Sequence, residues 1–105
     1  MATTRVVEVL GGNVAQGADV TIEGWIRTRR DSKAGLSFLA VHDGSCFHPL
    51  QVIANGDLPN YEEIKRISTG CAVRVTGKVV PSPAAGQAVE VVAASVDVVG
   101  WVDDP

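Results

Sequence analysis

Three side chains carry most of the chemical information in this chain: Phe38, Gln51 and Arg30. Successive residues of a β-strand alternate faces. Across 36–43, Leu39 and Val41 form an inward set with Ser37, so Phe38 points outward. Further on, Leu50 and Val52 are the inward pair and Gln51 points outward as well. With Gly44-Ser45 as a two-residue type II′ turn, Asp43 faces Cys46 and Phe38 lies directly opposite Gln51. A flat apolar ring beside a bidentate amide suits single-stranded nucleic acid, because an unstacked base offers a π-face to one and a hydrogen-bonding edge to the other. Arg30 ends the preceding strand, a short loop away. Its guanidinium only donates, which suits uracil's carbonyl oxygens and not cytosine's amino group. Gln51 can turn its amide to suit either pyrimidine, so discrimination would fall to Arg30. Blander readings stand beside these: a loop or partner surface covering Phe38, and Arg30 paired with Asp31 or Asp43.

A second feature is basic. Arg27, Arg29, Arg30 and Lys33 place four of the nine basic residues within seven positions, although the formal net charge is -3. Such a cluster either meets phosphates or is a solvated strand end. Other chemistry is poorly supplied. His42, Cys46 and His48 lack the paired spacing and fourth ligand of a zinc site. His42 and Asp43 are adjacent, but no nucleophile, phosphate-binding glycine loop or metal set joins them. The chain reads as a binding module and not as an enzyme in itself, with no cofactor and no metal of its own.

The elements that must position these residues are mostly strands. Alternation starts at Ala18, with Val20, Ile22 and Ile26 on one face and Gly24 marking a bulge or tight bend in a run ending near Arg30. Further strands fall at 36–43, 46–54, 71–80 and 88–99. One helix is predicted after Pro59, with Asn60 as N-cap, Glu63 three residues on, and Tyr61, Ile64 and Ile67 at helical spacing, ending near Gly70. A helical turn is also plausible within 4–17. Three strands, a helix and two strands make a five-stranded Greek-key barrel, all-β with one short helix between strands three and four. This is the OB arrangement, whose second and third strands commonly bind oligonucleotides.

At 105 residues and 46% apolar, there is room for one domain and one core. Residues 1–17 read as an N-terminal extension and 100–105 as the start of a linker. Cys46 and Cys71 are too few for a disulfide framework, which points to a reducing cytoplasm. No apolar run approaches the ~18 residues that would span a membrane.

The run Gly24-Trp25-Ile26-Arg27-Thr28-Arg29-Arg30-Asp31-Ser32-Lys33-Ala34-Gly35, continuing through Phe38 to Cys46, strongly resembles asparaginyl-tRNA synthetases of bacterial type. The likeness extends through Leu58-Pro59-Asn60-Tyr61, Thr69-Gly70-Cys71, Val75-Thr76-Gly77-Lys78-Val79-Val80 and Gly100-Trp101-Val102. A Gly-Trp motif with Arg-Asp and then an outward Phe is shared with the aspartyl and lysyl relatives. The resemblance implies the N-terminal OB domain that binds the tRNA anticodon. It assigns a stacking role to Phe38, and uracil reading to Gln51 and Arg30. It further implies the anticodon GUU, outer anticodon bases read from neighbouring loops such as 81–87, and a homodimeric parent ligase. ATP and magnesium would serve only that parent's catalytic domain, which this chain lacks. Two other outcomes remain open: a sequence-tolerant single-strand binder, and a structural or dimerisation domain.

Overall fold

Runs of Val and Ile with a period of two build the sheet of this computed structural model, which describes residues 3–12, 14–81 and 89–102. In chain order the elements are α1 (Val6–Leu10), β1 (Asp19–Ser32), β2 (Leu36–His42), β3 (Leu50–Asn55), α2 (Tyr61–Ile64), β4 (Ala72–Pro81) and β5 (Val89–Gly100). The strands close a barrel in the order β1-β2-β3-β5-β4, the all-β OB arrangement expected, with two short helices in place of one. Neighbours are antiparallel except β3 and β5, which run parallel through Val52↔Val91 and Ile53↔Val92.

Strand β1 closes the barrel because it is long enough to serve two partners. Its first half pairs with β4 and its second with β2, and Trp25 has a partner in each. The bend this requires falls where the chain has no side chain. A Cβ on Gly24 would lie 2.4 Å from the His42 carbonyl oxygen, and one on Gly77 would lie 2.3 Å from that of Val92. Register shifts accompany both, between Ile26 and Thr28 on β1 and at Thr76/Gly77 on β4. The anticipated distortion near Gly24 is therefore present, with Arg27 as the extra residue.

Inward residues make the core: Val20, Ile22 and Ile26, then Leu39 and Val41, Leu50 and Val52, Val73 and Val75, and Val91 and Val96. Each fully buried Val, Leu or Ile contributes roughly 1.5–3 kcal/mol relative to an exposed position. Helix α1 adds Val6 and Val9 to this cluster, and the α2 region adds Ile64 and Ile67.

Two expectations need correction. The helix after Pro59 covers only Tyr61–Ile64, and Asn60 makes no side-chain cap. Its amide instead donates to the Val96 carbonyl at 2.7 Å and to Glu63, while Arg66 and Ile67 close tight turns onto Glu63 and Ile64. The spacing of Ile64 and Ile67 was a true burial signal, satisfied by a tight turn. The third strand begins at Leu50 and not at Cys46, so residues 43–49 form a longer connection than a two-residue turn. Asp43 explains why. Its carboxylate accepts from the Val6 amide at 2.9 Å and from the Ser45 amide at 3.0 Å, which fastens α1 to this loop.

Candidate nucleic-acid interface

The outer face of β1, β2 and β3 carries the residues singled out from the sequence. On β2, Ser37, Leu39 and Val41 are buried, and Phe38 lies half-buried between them on the other side. On β3, Leu50 and Val52 are fully buried and Gln51 faces outward between them. Both faces follow from the period of two. The pairing does not: Phe38 lies opposite Ile53, and Gln51 opposite Ala40. The longer 43–49 connection moves the register by two residues, a step that preserves the faces. Phe38 and Gln51 are therefore diagonal neighbours, a separation of about 7–8 Å. Ala40 between them is small. The result is an open depression of about 260 Å³ lined by Thr28, Arg30, Phe38, Leu39, Ala40 and Gln51.

Arg30 joins this face because of the bulge. Before it, the even-numbered Val20, Ile22 and Ile26 point inward. With Arg27 as an extra residue, Thr28 pairs with Ala40 and Arg30 with Phe38, so both turn outward. The Arg30 guanidinium lies over the Phe38 ring, 5.0 Å from its centre. Among the described residues Arg30 makes no ion pair. Asp31 and Asp43, considered as its partners, are committed elsewhere.

The remaining basic residues divide. Arg27 is exposed and donates to the Phe47 carbonyl at 3.4 Å. Lys33 is exposed in the β1–β2 loop. Arg29 turns away: its Nε donates to the Ile67 carbonyl at 2.8 Å and its guanidinium pairs with Asp31. The Arg29 hydrogen bond, aided by the Ser37 hydroxyl, holds the Asp31 carboxyl below its ordinary value. Ser37 is itself satisfied by Asp31 and Tyr61, which explains a hydroxyl at a fully buried position. Loop 81–87, expected to help read the outer bases, lies almost wholly outside the described residues.

Two features were missed in the sequence. Glu90 on β5 is only 3% exposed, and it accepts from Gln51 Nε2 at 3.1 Å. The available signal was a lone carboxylate within Ala88-Val89-Glu90-Val91-Val92. Phe47 in the 43–49 connection is 90% exposed, in a chain with five aromatic residues. The set His42, Cys46 and His48 does not converge. His42 packs near the Trp25 ring and the Cys46 thiol donates to the His48 carbonyl. Among the described residues no His, Cys, Asp or Glu cluster is arranged for a metal.

A closed five-stranded barrel with an open aromatic and amide face on β2 and β3 defines an oligonucleotide-binding class of fold. The chain belongs to the tRNA anti-codon family of OB-fold nucleic acid binding domains, whose model matches residues 20–99. It is 66% identical over 101 residues to an asparagine–tRNA ligase of Actinobacillus pleuropneumoniae, covering 95% of this chain and 22% of that protein. It is 58% identical over 106 residues to the asparagine–tRNA ligase of Yersinia pestis, covering all of this chain and 23% of the ligase. The chain thus spans less than a quarter of the length of these curated relatives. In fold it resembles asparaginyl-tRNA synthetase from Pyrococcus horikoshii complexed with asparaginyl-adenylate, with a TM-score of 0.85 at 21% identity over 98% of this chain and 23% of that one. It also resembles an OBody bound to hen egg-white lysozyme, with a TM-score of 0.79 at 19% identity over 97% of each chain.

Proposed function

We propose that this domain binds the anticodon loop of the asparagine tRNA and reads its central uracil. The observation that carries this reading is the convergence of Phe38, Arg30 and Gln51 on one open depression of the β1–β2–β3 face. The base stacks on Phe38, its carbonyl oxygens accept from Arg30, and Gln51 meets its edge. Arg27 and Lys33, both exposed, face phosphates. The high identity to asparagine–tRNA ligases supports asparagine as the amino acid and GUU as the anticodon. In this reading ATP, asparagine and magnesium chemistry belong to the part of such ligases beyond this domain, and the parent ligase is a homodimer. The setting is the cytoplasm.

Stacking is accessible on energetic grounds. Displacing an exposed guanidinium from an aromatic ring costs about 0.5–1 kcal/mol, whereas a base stacked on that ring contributes about 1–3 kcal/mol. The base wins. Titration of the chain with anticodon stem-loops that differ only at the middle position, GUU against GCU, tests the proposal. Tighter binding of GUU is expected. Equal affinity would reduce the domain to a sequence-tolerant single-strand binder, and absence of binding to both would leave it a structural module.

A further inference from the structure

A carboxylate that is 3% exposed on the outward side of a strand calls for a reason. Glu90 lies on β5, where Val89 and Val91 flank it, and β5 runs parallel to β3 at Val52↔Val91. That pairing sets Glu90 beside Gln51, and Gln51 Nε2 donates to Glu90 Oε1 at 3.1 Å. The contact is directional. The carboxylate oxygen is the acceptor, so the glutamine turns its NH2 end toward it. The Gln51 carbonyl oxygen is then held at the opposite end of the amide, and it makes no hydrogen bond among the described residues. Gln51 also lines the depression beside Phe38 and Arg30.

We infer that Glu90 is a positioning residue that locks the Gln51 amide in one orientation, converting a side chain able to read either pyrimidine into one selective for uracil. This rests on the anticodon reading above and revises the share of selectivity given to Gln51. Uracil carries a hydrogen on N3, and the fixed carbonyl oxygen of Gln51 accepts it while Arg30 donates to the flanking O4. Cytosine has a lone pair on N3 and an amino group at the next position. The lone pair would face the Gln51 oxygen, and the amino group would face the guanidinium. Both contacts become repulsive. A freely turning amide would relieve the first of them, which is what a buried acceptor behind Gln51 prevents.

The test is the ratio of affinities of the 105-residue chain for the GUU and GCU stem-loops, measured in the wild type and in Glu90→Gln. The isosteric amide removes the fixed acceptor and lets Gln51 turn over. GUU binding should weaken and GCU binding should tighten, narrowing the ratio by about two- to twelvefold, the worth of one hydrogen bond gained or lost. Tightening toward GCU is the informative part, since damage to the fold weakens both loops. Removal of a negative charge strengthens both alike and cancels in the ratio. A ratio unchanged within about twofold, below the worth of a hydrogen bond, in a variant with normal circular dichroism, overturns the role of Glu90 and leaves the anticodon reading standing. A wild-type chain that does not distinguish the two loops overturns both. If Glu90→Gln fails to fold, the wild type decides by NMR. The Gln51 side-chain NH2 should exchange with solvent slowly, and exchange as fast as that of a free glutamine overturns the proposal.

Discussion

The Arg30 guanidinium sits 5.0 Å from the centre of the Phe38 ring, directly across the β1–β2 ladder. Neither residue achieves this alone. Phe38 faces outward because its neighbours Ser37 and Leu39 are buried, and Arg30 faces outward only because the strand carries an extra residue at Arg27. In the free molecule the cation shields the ring that a base would use. A guanidinium poised at that distance is also one short swing from the edge of any base stacked there.

Truncation of the ring should remove the stacking platform and little else. Phe38→Ala is expected to weaken binding of the GUU stem-loop about 5- to 150-fold, the equivalent of ~1–3 kcal/mol. Because the ring is on the outer face, the melting temperature should move little. Fluorescence anisotropy together with a thermal melt checks both halves.

Arg30→Ala should act on selectivity more than on affinity. Charge-assisted hydrogen bonds to uracil are worth about 1.5–3 kcal/mol, or roughly 10- to 150-fold against GUU. With an amino group in place of the O4 acceptor, the GCU loop has no such bond to lose, and it gains a ring freed of a contact worth about 0.5–1 kcal/mol. Its affinity should stay level or rise slightly. A parallel loss for the two loops would show that Arg30 serves only as a general positive charge.

The basic residues should separate by ionic strength. With Arg27 and Lys33 on phosphates, log affinity should fall against log salt with a slope near -1.4, about 0.7 for each single-stranded phosphate contact. Replacing either with Ala should flatten the slope by about half. Arg29→Ala should leave the slope alone and lower the melting temperature, because Arg29 holds the Ile67 carbonyl and Asp31 within the fold. A titration series at several salt concentrations separates the two behaviours.

Asp43 should make stability fall in acid. Burial alone would raise its carboxyl, but hydrogen bonds from the Ser45 hydroxyl and from the Val6 and Ser45 amides outweigh it and hold the value below the ordinary one. The unfolded chain therefore takes up this proton more readily than the folded one. The stabilisation is complete above about pH 4, the ordinary carboxylate range, and is lost as pH falls through the lower folded value. Asp43→Asn should lower the melting temperature at neutral pH and flatten its decline in acid. An unchanged acid profile in that variant would show that α1 is held by other means.

The legible parts of this molecule are those set by period. Alternating Val and Ile gave the strands and their order, and the faces of Phe38 and Gln51 followed because each sits between two core residues. Register was not legible, since it depends on the 43–49 connection, where the Asp43 carboxylate serves the remote Val6 amide. The outward turn of Arg30 was hidden because one inserted residue inverts the faces beyond it. Glu90 was hidden for a different reason. An outward carboxylate on a strand reads as solvated, and only the parallel approach of β3 to β5 brings Gln51 to cover it.

Among the described residues, the β3–β5 junction is the least extensively paired in the barrel, with two residue pairs beside the long antiparallel ladder of β4 and β5. Glu90 and Gln51 bridge that junction, and Gln51 is also a wall of the depression. An occupant gripping Gln51 would consequently pin the seam most ready to part. The backbone amides of Val52 and Val91 should gain protection from deuterium when RNA is bound, so that cargo and container tighten together.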